Sequence, residues 1–138
     1  MWGMTQKFLD NPFCSFHVLK INKGGVCSQH LHHHRWNGFY IISGSLKINR
    51  WATANQIDST ILKEGQWTAC PPGEYHQFEA LTDTHAIEIY WPSACTQKDI
   101  KRKTQGFLNT PPSEPATHTK TQPTTQEEYN TLWNRSYC

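Results

Sequence analysis

Residues 25–44 read GVCSQHLHHHRWNGFYIISG, and residues 65–80 read GQWTACPPGEYHQFEA. In the first stretch His30 and His32 are two apart, so on a strand both imidazoles point to one face. In the second, Gly65, Pro71, Gly73 and His76 are spaced as a strand end, a tight turn and a new strand. Proline fixes φ for such a turn, and glycine accepts the positive φ that follows. Laid side by side, the two stretches bring His30, His32 and His76 to one point. Neutral imidazole is the commonest biological metal ligand, and three of them with an open position form a catalytic rather than a structural site. On a regular strand His34 shares the face of His30 and His32 and could replace one of them. His33 falls in the loop that follows.

Outward from these stretches the pattern is β throughout. Residues 13–21 alternate, with Phe16 and Val18 among polar neighbours, and predict a strand. Residues 26–32 form the strand of the first two histidines. NGFYIIS, 37–43, is rich in aromatic and β-branched residues and predicts a buried strand. Gly44-Ser45 turns into a returning strand over 46–51. A polar loop over 52–58, short strands over 59–63 and 67–70, and strands over 75–81 and 85–91 complete the series. In the strand at 75–81, His76, Phe78 and Ala80 share one face. No segment before Pro92 has a helical period. Short strands separated by turns at near-regular spacing predict an all-β sandwich or barrel.

The chain has 138 residues, enough for one domain. Charged residues make up 17% and the net charge is +2, so no strong field draws it to nucleic acid or an anionic membrane. No apolar run approaches the roughly 20 residues that cross a bilayer, and the first residues lack a basic-then-apolar signal pattern. Five cysteines without a CxxC pair argue against a disulfide framework and for a reducing cytoplasm. Cys14, Cys27 and Cys70 then read as small buried hydrophobes.

The organisation expected is a loose N-terminal arm over 1–12, a barrel over 13–103 and a Thr/Pro-rich tail over 104–138. Thr, Pro and Gln dominate from Thr104 to Gln126, a composition too poor in aliphatics to offset its ordering entropy. Thr125 and Glu128 then form a capping box, and Tyr129, Leu132 and Trp133 share one face of a short terminal helix. The run KDIKRK, 98–103, reads as a solvated basic edge.

The two stretches resemble the paired motifs of the cupins. Gly24, His30, His32 and Gly44 fit the first motif, with Asn37 where a Glu is usual. Gly65, Pro71, Gly73 and His76 fit the second, with Ala80 at its last place. The resemblance covers roughly residues 13–102. It implies an all-β double-stranded β-helix, or jelly-roll barrel, a homodimer, and a divalent metal (zinc, manganese, iron or nickel) on His30, His32, Asn37 and His76. An amide oxygen at 37 can coordinate but adds no charge, so the ion keeps its full charge and is held less tightly.

Within the cupins, HHHRWNGFYIISGSLKI, IEIYW and Asp99-Ile100-x-Arg102 resemble the cupin domain of bifunctional mannose-6-phosphate isomerases. That resemblance implies a metal-dependent isomerase or epimerase on a carbohydrate, a sugar or sugar phosphate, in which a base moves a proton between neighbouring carbons. Arg35, close to the ligand loop, is the expected anchor for a phosphate. Tyr40, Glu74, Glu79 and Glu88 are candidate acid–base groups, with Glu88 first because it interrupts an apolar strand, and Tyr40 second. The alternatives are an iron-dependent dioxygenase and a non-catalytic small-molecule-binding module.

Overall fold

In this computed structural model residues 1–92 and 97–109 are described. They form β1 (Gly3–Asp10), β2 (Ser15–Ile21), β3 (Gly25–Val26), β4 (His30–His32), β5 (Trp36–Ser43) and β6 (Ser45–Thr53). There follow β7 (Gln56–Lys63), β8 (Trp67–Cys70), β9 (Tyr75–Ala80), β10 (Thr84–Trp91), a 3-10 turn (Gln97–Asp99), β11 (Ile100–Arg102) and β12 (Phe107–Leu108). All pairings are antiparallel. One sheet runs β1-β2-β10-β5-β8. In the other, β9 pairs with β6 on one side and with β3 and β4 on the other, β7 extends β6, and β11 and β12 extend β4 and β3. This is the two-sheet β-sandwich expected. No helix among the described residues is long and apolar enough to cross a membrane.

The four glycines of the two motifs all have positive φ: Gly24, Gly44, Gly65 and Gly73. The motif spacing is therefore a spacing of turns. Two of them bear directly on the architecture. At Gly44 a side chain would collide with the Asp83 carbonyl as well as needing the left-handed region. At Gly73 the turn points its N–H to the carbonyl of His32 at 2.7 Å, tying the two histidine segments together.

Alternation sends one set of side chains between the sheets, and that interior changes character along the strands. Leu19, Ile41, Leu46, Phe78, Ala80 and Ala86 form an apolar core at one end. Toward the other end the inward residues of the same strands are His17, Asn37, His76 and Glu88, all buried. The apolar half holds the sandwich shut, and the polar half is where chemistry can occur.

Several boundaries differ from those expected. Residues 1–12 are not a loose arm: Gly3–Asp10 pairs along β2, and Trp2 is buried edge-on against Phe78 at 5.1 Å. The strand expected over 26–32 is broken after Val26, where the Cys27 sulfur takes the Phe78 N–H. The loop expected over 52–58 is mostly strand, closed by a tight turn between β6 and β7. The barrel does not end at 103, because Phe107 and Leu108 pair with Val26 and Gly25. The rest of the expected tail, with the capping box and terminal helix, lies outside the described residues.

Candidate metal centre

His30 and His76 are opposite each other in the pairing of β4 with β9, with ring centroids 4.6 Å apart. His32, two residues along β4, lies on the same face, 5.2 Å from His30 and 5.5 Å from His76. Each offers one ring nitrogen, and the three nitrogens lie within 4.8 Å of one another. All three side chains are buried. Two rings have their tautomer set from behind. His30 Nδ1 is 2.8 Å from the Ser28 carbonyl, and His76 Nδ1 is 3.1 Å from the Glu74 carbonyl. A carbonyl only accepts, so each Nδ1 carries the proton and Nε2 keeps its lone pair for the interior.

Burial lowers the pKa of His30 to about 4 and, helped by the charge of His30, that of His32 to about 3. His76 is lowered well below the ordinary value, again first by burial. The triad is therefore neutral at pH 7, the state that ligates metal. Nε2 of His30 and Nε2 of His32 are buried without a hydrogen-bond partner. Such orphaned atoms are costly, and a cation between them would satisfy both.

Asn37 comes from the opposite sheet. Its Oδ1 is 3.0 Å from His76 Nε2, and its Nδ2 donates to Glu88 Oε1 at 3.2 Å. With His76 protonated on Nδ1, two lone pairs face each other across that 3.0 Å contact. A cation shared by both atoms resolves the conflict. Without one, the amide must turn over to donate to His76, and its oxygen then needs a protonated Glu88. The donor set thus fits a divalent ion on His30, His32, His76 and Asn37. Glu88 is fully enclosed, and burial pushes its carboxyl up to about 7 against the pull of hydrogen bonds from Tyr90 and Asn37.

The other expected site residues lie elsewhere. Arg35 does not stand open at a barrel mouth: it is buried and its guanidinium is 2.6 Å from Asp99. Tyr40 is half exposed on the outer face of β5, where alternation opposes it to Asn37. Glu74 faces Arg50 at 3.5 Å and Glu79 faces Lys47 at 3.8 Å, both outside the triad. His33 and His34 are exposed neighbours outside the cluster.

A family model described as "Cupin domain" matches residues 17–92, more than half of the chain. The chain belongs to the cupin family. Comparison with curated proteins finds no match. Among solved structures, KdgF from Halomonas sp. is similar with a TM-score of 0.59 and 18% identity, over 66% of this cupin and 81% of that chain. Oxalate decarboxylase OxdC from Bacillus subtilis is similar with a TM-score of 0.66 and 14% identity, over 73% of this cupin and 28% of that chain. CapF, solved with the inhibitor 3-isopropenyl-tropolone, has a TM-score of 0.63 and 22% identity, over 79% and 32%. This cupin thus spans about a third or less of the latter two, and identities this low show a shared fold.

Two residues matter to the centre of this cupin that sequence reasoning did not assign to it. Asp99 is buried, with one oxygen 3.6 Å from His32 Nδ1 while it also holds Arg35. It is the carboxylate nearest the one triad ring that no backbone carbonyl holds, beyond hydrogen-bond distance of its Nδ1. The signal was present in the Asp99-Ile100-x-Arg102 pattern, but the surrounding lysines hid it in a basic run. Tyr90 packs its ring 5.0 Å from His32 and 5.3 Å from His17, walling the polar interior. The whole set is a buried cluster of neutral donors with one carboxyl group whose pKa lies near neutrality.

Proposed function

We propose that this cupin is a metal-dependent isomerase or epimerase acting on a sugar or sugar phosphate. The observation that carries the reading is Glu88: a buried carboxyl of pKa about 7, one amide away from the histidine triad. A group half-protonated near neutral pH can both take and return a proton, which is what moving hydrogen between neighbouring carbons requires. His30, His32, His76 and Asn37 would hold the divalent ion, which supplies polarisation of a substrate carbonyl and its neighbouring hydroxyl. Glu88 takes the proton from the carbon next to the carbonyl. It returns that proton on the same face to the adjoining carbon while the hydroxyl proton passes to the former carbonyl oxygen, which is an isomerisation; an epimerisation would need a second acid on the substrate's other face. Asn37 fixes the carboxyl while Tyr90 packs beside it, and the surrounding burial excludes water.

Because Arg35 is held by Asp99, a phosphate finds no support at that residue, and an unphosphorylated sugar is the better fit. The reading includes a homodimer and a reducing compartment such as the cytoplasm, in keeping with Cys14, Cys27 and Cys70, which form no disulfide among the described residues.

The test is proton exchange. Protein purified without a His-tag is assayed for bound metal and then incubated with aldoses, ketoses and their phosphates in deuterated water. Substrate should be converted, and deuterium should enter at the carbon next to the carbonyl to the extent that the Glu88 proton exchanges with solvent before it is returned. Glu88→Gln should lose this labelling by about 100-fold or more while keeping its metal. Full metal occupancy with no substrate converted or labelled sinks the isomerase reading. Oxygen-dependent turnover on iron would then identify a dioxygenase, and tight binding without turnover a binding module.

A further inference from the structure

The polar interior does not stop at Glu88. On β2 the buried, inward residues are Ser15, His17, Leu19 and Ile21, so the strand changes from apolar to polar at His17. Register sets His17 directly opposite Glu88 of β10, and opposite residues on one face have Cβ atoms about 4.5–5.5 Å apart. His17 is 8% exposed. One side of its ring is held: Nδ1 is 3.5 Å from the Thr5 hydroxyl, and the ring meets Tyr90 edge-on. Nε2, on the other side of the ring, is buried without a hydrogen-bond partner, and so is Oε2 of Glu88. The two atoms therefore do not bond each other. A histidine that only fills a core has its buried nitrogens bonded. Here one nitrogen is held while the other is left open beside the carboxyl group that handles the proton.

We infer that His17 is a substrate-binding residue whose Nε2 holds a sugar hydroxyl on a carbon next to the reacting pair. The inference rests on the isomerase reading and adds to it a residue that selects the substrate. Three observations support it. First, one ligand satisfies both orphaned atoms: Oε2 of Glu88 faces the carbon that loses its proton, and Nε2 of His17 bonds a hydroxyl beside it. A hydroxyl both donates and accepts, so it suits either tautomer of the ring. Second, the subsite offers a dipole and no charge. Burial, with the charge of Lys7 adding to it, lowers the pKa of His17 to about 4, so the ring is neutral at pH 7. Lys7 itself, opposite His17 on the edge strand, is paired with Asp10 at the surface. A neutral hydroxyl fits such a place better than a phosphate or carboxylate. Third, His17 and Glu88 belong to one wall, so His17 meets the substrate on the face from which Glu88 works. It is not the opposite-face acid of an epimerase, and the arrangement favours isomerisation.

The test is sugar binding to the zinc-loaded full chain. D-Glucose, D-mannose, D-xylose and D-fructose, and analogues of each lacking one hydroxyl, are titrated by calorimetry. The ring nitrogens of His17 are followed in parallel by nuclear magnetic resonance. Their signals should move as a sugar binds. One analogue should bind about tenfold more weakly than its parent, the loss of one hydrogen bond. His17→Leu should bind the parent about tenfold more weakly and no longer distinguish it from that analogue. Its urea midpoint should not fall, because an unbonded polar atom has left the interior. His17→Gln keeps a donor and an acceptor and should recover most of the affinity, which decides the matter even if the Leu variant misfolds. A sugar that binds or is converted while the His17 signals stay fixed and both variants bind as wild type overturns the subsite and leaves the isomerase reading standing. If the zinc-loaded protein neither binds nor converts any of these sugars, both fall.

Discussion

At the scale of single residues, the centre depends on which nitrogen of each histidine is held from behind. Ser28 and Glu74 carbonyls fix His30 and His76, and Asp99 approaches His32. The lone pairs of His30 and His76 are thereby committed to one point before any ion arrives. His76→Ala should remove most of the bound divalent metal, read by elemental analysis, and leave the β-rich circular dichroism unchanged, because the apolar half of the sandwich is untouched. Metal content equal to wild type in that variant would place the site elsewhere. Asn37→Asp is a second probe. It puts a carboxylate beside the ion in nearly the same shape, and metal affinity by titration calorimetry should rise about tenfold or more, ~1.4 kcal/mol. Without metal the same change sets a second carboxyl against Glu88, so the apo protein should be less stable than wild type. An unchanged affinity means that residue 37 does not ligate. The H-x-H alternation was readable from the sequence. The link from His76 through Asn37 to Glu88 was not, because 51 residues separate Asn37 from Glu88 and nothing local marks them as neighbours.

At the scale of elements, the N-terminal strand shows where local reasoning stops. Residues 1–12 carry too little apolar alternation to predict a strand. The strand exists because β2 offers a free edge, and the segment satisfies its backbone there. Trp2 then reaches the core, and its carbonyl accepts the Asn22 N–H at 3.0 Å. Trp2→Ala should cost about 3–5 kcal/mol in urea unfolding, the usual loss for a buried large aromatic. A cost below about 1 kcal/mol would mean that β1 is only a passenger. The basic run at 98–103 fails for a similar reason. Lys98 and Lys101 are exposed as expected, but Asp99 turns inward to Arg35 and His32. Average charge describes a segment, whereas burial is decided residue by residue.

At the scale of the whole molecule, four buried histidines make stability depend on pH. Burial is the first cause in each case: His17 and His30 fall to about 4, His32 to about 3, and His76 is well lowered. Below 6.5 the unfolded chain binds protons on these rings that the native protein refuses, so native stability falls as pH drops from 6.5 toward 4. Glu88 acts in the opposite sense. Its pKa of about 7, against 4.5 for an ordinary carboxyl, lets the native state hold a proton that the unfolded chain releases, so its contribution is present near pH 4.5 and is lost as pH rises through 7. The net difference is about three protons, or about 4 kcal/mol per pH unit at its steepest. Metal-free protein should therefore show a urea midpoint that collapses between about pH 6 and 5, and divalent metal should shift the collapse to lower pH. A midpoint constant from pH 7 to 5 would show that these imidazoles are not buried as described. Alternation and turn chemistry, both local, determined the strands, the four motif glycines and the shared face of His30 and His32. They even separate Tyr40 from Asn37, since residues three apart on a strand point to opposite sides. What only the tertiary structure decided was which strands pair and which side is inside. It brought Asn37 from one sheet to His76 on the other, closed Asp99 over Arg35 and gave β2 an edge partner. Those contacts are set by burying the most apolar surface across the whole chain at once, a quantity that no single segment contains.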